Sequence, residues 1–279
     1  MATFFGEVLS VYSRAVEEDD DDDLTNENEE DEQIRREIEE KRSVHVHWTS
    51  DTDTRSYSDL IIAVGPNATG FISAYVLSSG CWSAVGWVSL WNERSQRSTR
   101  TNTSAPDPGE PACILYQQNQ NPSVLICQCT CYVAEDQLFQ WTEKVLGCVQ
   151  KRGLSVTVLS ECVLAEYKTS DYVSGNGSPF LCALKTGGYT GAIACPLLKQ
   201  PNIISGLPAA VLSHCQVHQT PAVVYQCYSD VSHPDSLTME TFKSAVMCLS
   251  SAVKLDPSPS SETLQKFTRV NEVQSNLYT

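Results

Sequence analysis

Cys127, Cys129 and Cys131 alternate along the stretch Ser123-Val-Leu-Ile-Cys-Gln-Cys-Thr-Cys-Tyr-Val133. On a strand, a period of two sets all three thiols on one face with Val133, where thiolates could hold a metal ion. Metal sites usually pair one close Cys or His couple with a second couple elsewhere, and no Cys-x-x-Cys occurs in this chain. The three thiols therefore read as small apolar core residues, and no metal or cofactor is expected. His214 and His218 have the spacing of a zinc protease helix. Cys215 stands where the general-base Glu would be, and Pro221 soon ends the segment, so they read as two unrelated histidines. His45 and His47 share a strand face without a third ligand and read as surface or partner-facing residues.

Two further motifs fail where their chemistry lies. Gly65-Pro-Asn-Ala-Thr-Gly70 has the two glycines of a phosphate loop, yet Phe71 and Ile72 replace the Lys and Ser/Thr that would touch phosphate and magnesium. A tight turn is expected there. No Gly-x-Ser-x-Gly elbow occurs, and nothing selects one nucleophile among twelve cysteines. The last three residues, Leu277-Tyr278-Thr279, do carry a mechanism. An apolar side chain, a tyrosine and a free carboxylate can enter a pocket together: the first packs, the hydroxyl bonds, and the carboxylate pairs with a lysine.

The elements that position these residues follow from periodicity. Val124 to Cys127 is apolar on both faces, as in a strand covered from above and below. It feeds Glu135–Gly147, where Leu138, Trp141 and Val145 fall on one helical face and Gly147 is a stop. That is half of a βαβ unit. Val44, Val46 and Trp48 alternate as a half-exposed strand, and Leu60–Val64 is a central one. Phe71–Leu77 predicts a helix, Trp82–Trp91 and Ala112–Tyr116 two strands, and 92–111 a long mobile loop. Further strands are expected over 154–159, 179–185 and 222–227, with a polar loop over 168–178. Helices are expected over 206–215, through Phe242, Val246, Leu249 and Val253, and over 261–270.

The chain of 279 residues is 41% hydrophobic, enough for one large domain. Its charge of −15 is local. Residues 17–40 hold fifteen acids against two arginines, so −13 of the total lies there and the remainder is nearly neutral. With no basic stripe to neutralise phosphates, nucleic acid is not an expected partner. The N-terminus lacks the basic and apolar regions of a signal peptide, and no apolar run suits a membrane span, so membrane insertion is not expected. Three Asn-x-Ser/Thr patterns (Asn67, Asn102, Asn176) carry little meaning in that setting. Twelve cysteines without a paired framework read as reduced, mostly buried thiols of a cytoplasmic protein. Association with the endoplasmic reticulum or the nucleus is left open.

The expected fold is α/β: a single three-layer domain with a mostly parallel or mixed central sheet flanked by helices. An acidic segment, 1–42, is expected to be disordered, fraying into a helix near 33–41. The α/β domain would span 43–256, and 257–279 would be a flexible C-terminal segment ending in the Leu-Tyr-Thr anchor.

Several stretches together resemble the proteasome assembly chaperone 1 family. They are Met1-Ala-Thr-Phe-Phe-Gly-Glu-Val8, Leu90-Trp-Asn-Glu93, Asn121–Val124, Cys127-Gln-Cys129 and Tyr132–Gln137. Tyr167–Ser170, Pro196–Leu198, Gln200–Ile203, Leu207–Ser213 and Gln274–Thr279 complete the match. The resemblance implies a non-catalytic chaperone that pairs with proteasome assembly chaperone 2. It further implies binding of proteasome α subunits and correct assembly of the α ring of the 20S core. Leu277, Tyr278 and Thr279 match, position by position, the hydrophobic-Tyr-any tail that family members dock between α subunits. The competing reading is a small-molecule enzyme of phosphorylase or hydrolase type on a similar sheet. It would place its groups in the loops after Val64, Val133 and Tyr228, where Glu135-Asp136 and Ser229-Asp230 lie.

Overall fold

The computed structural model describes residues 24–49, 56–90, 106, 110–149, 152–169, 178–230, 233–249 and 253–268. The chain divides into two units, Met1–Arg42 and Ser43–Thr279. In the first unit, helix α1 spans Leu24–Lys41, and its side chains from 31 to 40 are exposed. Helix thus begins nine residues earlier than the fraying expected near 33. Glu and Gln are good helix formers, and Glu32 pairs with Arg36 one turn away at 3.1 Å.

The second unit is built on one mixed sheet, which has eight strands among the described residues. In chain order these are β1 (His45–Trp48), β2 (Asp59–Val64), β3 (Trp82–Ser89), β4 (Cys113–Gln118), β5 (Val124–Cys129), β6 (Ser155–Val163), β7 (Phe180–Lys185) and β8 (Ala222–Ser229). Their order in space is β1-β3-β4-β5-β2-β6-β8-β7. The four middle strands, β5, β2, β6 and β8, run parallel, and antiparallel pairs flank them on both sides. Parallel strands need crossovers that cover both faces, which is why the sequence of β5 and β8 shows no polar side: every residue of both is buried.

Helices α3 (Leu138–Gly147) and α4 (Gly206–Val217) close one face. There Trp141, Val145, Leu207 and Val211 pack on Leu60, Ile62, Leu125, Cys127 and Val158. The opposite face is closed by α2 (Pro66–Phe71), α5 (Ser236–Thr241), α6 (Lys243–Met247) and α7 (Ser261–Thr268). Phe71, Tyr75, Met239, Phe242 and Val246 meet Ile61, Ile126, Leu159 and Tyr225 on that side. The three-layer α/β architecture follows directly from these two cores.

Four local expectations are corrected. The Gly65–Gly70 stretch is not a tight turn but the start of α2, which continues as a π-helix over Ile72–Val76. Gly65 takes φ 97, a conformation open to glycine, and Pro66 then presets the first helical turn. The final helix expected through Phe242, Val246, Leu249 and Val253 is an α-helix only over Lys243–Met247, as α6, and is preceded by a separate α5 over Ser236–Thr241. The central strand ends at Cys129, so Cys131 and Val133 lie beyond it. Finally, position 257 is no boundary of packing, because Leu264 and Phe267 of α7 rest on the second core. Of the two expected loops, 92–111 falls largely and 168–178 mostly outside the described residues.

Candidate functional site

The parallel strands deliver their C-terminal ends to a cleft of about 1590 Å³. Open α/β sheets bind ligands at such ends, where helix N-termini and strand-end loops converge. The loops after Val64 and Val133 both line this cleft. Glu161, near the end of β6, points its Oε2 at the first turn of α2 and accepts a hydrogen bond from the Asn67 amide at 3.0 Å. A Cβ on Gly65 would lie 2.7 Å from Glu161 Oε1, so a side chain there would push the Glu161 carboxylate aside as well as strain φ. Burial raises the Glu161 carboxyl above its ordinary range, against the pull of its hydrogen bonds from Asn67; the Asp235 charge adds to the rise.

Asn67 Oδ1 in turn accepts from the Asp235 amide at 2.9 Å. Asp235 Oδ1 accepts from Leu237 and Thr238 amides at 2.9 and 3.0 Å and so caps α5. Ser229 shares a 3.1 Å hydrogen bond with Thr238, and Ser160 donates to Gln226 Oε1 at 2.7 Å. Gln128 Nε2 donates to the Thr69 carbonyl at 2.9 Å and to Ser73 Oγ. Glu135 and Asp136 are exposed in the turn that starts α3. Most of these polar groups tie helices to strands or one strand to the next, while Asp235 Oδ2 is buried without a hydrogen-bond partner among the described residues. A thiol and a carboxylate do meet at the rim, where Cys162 donates to Glu166 Oε2 at 3.0 Å. Burial, and then Glu166, pushes that thiol up to about 12, which keeps it protonated and weakly nucleophilic.

The thiols group differently from the sequence expectation. Cys127 is fully buried among Leu60, Leu115 and Leu125, as a core residue should be. Cys113, the first residue of β4, takes its place beside the other two. It is the register partner of Cys129, and its Sγ lies 2.8 Å from Cys129 Sγ and 3.5 Å from Cys131 Sγ. Hydrogen bonds from Cys113 and Cys129 lower the Cys131 thiol to about 4, while burial raises that of Cys113. Sequence reading missed Cys113 because cross-strand register is not written in local spacing. It missed Glu161 because the strand was expected to stop at residue 159. All twelve cysteines are free, but only six are buried; Cys148 is exposed and five are half-buried, fewer buried than expected.

The histidines stay apart from these groups. His214 on α4 and His218, the residue that caps its C-terminus, face each other with ring centroids 4.2 Å apart, and Cys215 between them points into the core. His47 bonds Ser89 at 2.9 Å and stacks on Trp87. Leu277, Tyr278 and Thr279 lie outside the described residues, whose last member is Thr268 in α7. No helix among the described residues is long and apolar enough to cross a membrane.

A family model described as PAC1, proteasome assembly chaperone 4, matches residues 1–279. The chain is 64% identical over 281 residues to proteasome assembly chaperone 1 of Danio rerio, covering 100% of both. Against proteasome assembly chaperone 1 of Homo sapiens it is 42% identical over 298 residues, covering 100% of this chain and 99% of the other. Among solved structures it resembles Pyrococcus furiosus PbaB, an archaeal proteasome activator, with a TM-score of 0.54 at 13% identity over 77% of this chain and 91% of that one. It also resembles the monoclinic form of PbaA from the same organism, an archaeal homolog of proteasome-assembly chaperone. There the TM-score is 0.53 at 12% identity, over 81% of this chain and 87% of that one. Those two likenesses concern the fold. On the full-length match to its relatives, the chain belongs to the proteasome assembly chaperone 1 family.

Proposed function

We propose that this protein forms a heterodimer with proteasome assembly chaperone 2, binds proteasome α subunits and promotes correct assembly of the α ring of the 20S core. The observation that carries the reading is the 64% identity, over the full length of both chains, with a relative named proteasome assembly chaperone 1. Its role is non-catalytic. The strand-end cleft supports this, because Glu161 and Gln128 are engaged in holding α2 rather than left to act on a substrate. The protein needs no cofactor for this work, and its place is the cytoplasm.

Leu277, Tyr278 and Thr279 form the anchor that enters a pocket between α subunits. Leu277 packs, the Tyr278 hydroxyl bonds, and the terminal carboxylate pairs with a cation. In a co-precipitation of α subunits with the partner chaperone present, Tyr278→Ala should reduce recovery by roughly tenfold or more, as expected for an interface anchor worth on the order of 2 kcal/mol. Adding one residue after Thr279 should do similar harm, since it displaces the carboxylate alone. Partner pairing should be unaffected by either change. Equal recovery of α subunits by all three chains would remove the tail from the mechanism.

A further inference from the structure

The expectation that these thiols are plain core residues rested on the lack of a second ligand group next to Cys129 and Cys131. The fold supplies one. Cys113 comes from the neighbouring strand, and the three sulfurs all lie within 4.8 Å of one another. Among the described residues this is the group of three or more His, Cys, Asp or Glu side chains close enough to hold an ion. Two sulfurs bound to one zinc ion at ~2.3 Å stand roughly 3.8 Å apart when tetrahedral. Cys113 Sγ lies 2.8 Å from Cys129 Sγ and 3.5 Å from Cys131 Sγ, both somewhat short of that value, and the third spacing is within 4.8 Å. Small χ1 rotations would bring Cys113 and Cys129 to it.

The backbone around the sulfurs is already fixed. Thr130 donates to the Ala112 carbonyl through both its amide and its hydroxyl, each at 2.9 Å. The Ala112 amide returns a 2.9 Å bond to Thr130 Oγ1. This clamp joins the residue before Cys113 to the residue between Cys129 and Cys131, so the ligands need not be ordered by the ion. Cys113 and Cys129 are buried, whereas Cys131 is half-buried, and Cys129 and Cys131 line the cleft. An ion therefore has an entry path and an open coordination position on the cleft side. The donor set is all sulfur, which favours soft, thiophilic ions over calcium or magnesium.

We infer that Cys113, Cys129 and Cys131 form a three-thiolate site for a thiophilic metal ion. Zn(II) would take a fourth ligand from the cleft, and Cu(I) could remain three-coordinate. Each thiol gives its proton to solvent on binding, so one ion releases up to three protons and there is no change of oxidation state. The site does not depend on how α subunits are bound.

The test uses the full-length chain, kept reduced and stripped with a chelator. It is then titrated separately with Zn(II) and with Cu(I) against a chromophoric competitor for each. One ion per chain is expected, accompanied by proton release, and Co(II) used as a probe should give a thiolate charge-transfer band. Cys131→Ala is the decisive variant, because the residue is half-buried and outside the strand; it should keep the circular dichroism of the parent and lose the ion. Cys113→Ala should lose it as well, and Cys248→Ala, remote from the cluster, should retain it. The arm that survives the stronger competitor identifies the ion. No stoichiometric ion in either arm, or full retention in both Cys131→Ala and Cys113→Ala, would overturn the assignment.

Discussion

Glu161 is the residue whose chemistry the fold constrains most. Its carboxylate sits against the first turn of α2, where partial positive charge and free amides favour an anion, yet burial favours the neutral form. Burial wins, since the carboxyl is raised. Between its unfolded value and the raised folded value, the native chain holds more proton at this site than the unfolded chain does. The contribution therefore favours folding below the unfolded value and is lost as pH rises through the folded one. Glu161→Gln keeps an acceptor for the Asn67 amide but cannot ionise. The variant should show a smaller fall in melting temperature than the parent as pH rises from the ordinary carboxyl range towards neutrality. Parallel melting curves for the two chains across that window would exclude the mechanism. None of this was legible from sequence, because Glu161 and Asn67 meet only through the parallel alignment of β2 and β6.

At the scale of elements, strands were the most legible. Leu60–Val64, Val124–Cys127 and Ala222–Cys227 carry apolar residues on both faces, and that pattern has few explanations besides a covered parallel strand. Helix starts were harder. Gly65-Pro66 marks a turn and a helix entry equally well, and what decides it is the Thr69 amide bonding back to the Gly65 carbonyl at 2.9 Å, with the Thr69 hydroxyl joining at 2.8 Å. Helix α1 was the least legible, because charge density argued against order while residue propensity argued for it. From Leu24 to Lys41 there are eight acids and three bases. Like-charge repulsion should therefore limit the helix, and the exposed Glu32–Arg36 pair offsets little of it. A peptide of residues 17–42 should gain helical circular dichroism as salt rises from low to physiological ionic strength, because screening relieves more repulsion than attraction. A loss of helicity with salt would mean that ion pairs, not propensity, hold α1 together.

For the whole molecule, the layered α/β class was readable because it depends on composition and period, which are local. The sheet order was not, because β2 inserts between β5 and β6 although it precedes both in the chain. That insertion has a measurable consequence. Opening β2 requires breaking two parallel ladders, to β5 and to β6, and exposing Leu60, Ile61, Ile62 and Ala63, each fully buried. Its residues also face both cores, Leu60 and Ile62 on one side and Ile61 and Ala63 on the other, so neither layer can separate without it. Among the described residues, strand β1 pairs in the sheet with β3 alone, at its edge, and His45 at its start is exposed. The other edge strand, β7, is less open: the Ala183 amide donates to the Pro196 carbonyl at 2.9 Å, and the Leu198 amide to the Ala183 carbonyl at 2.7 Å. Such covering of an edge protects it from pairing with other chains. Native-state hydrogen exchange should therefore rank the amides of β2 slowest, β7 intermediate and β1 fastest. The gap between β2 and β1 should be on the order of 100-fold or more, because β2 opens only with the whole domain. Equal protection of β1 and β2 would mean that the edge is held as firmly as the centre, and the sheet would then unfold as one block rather than from its margins.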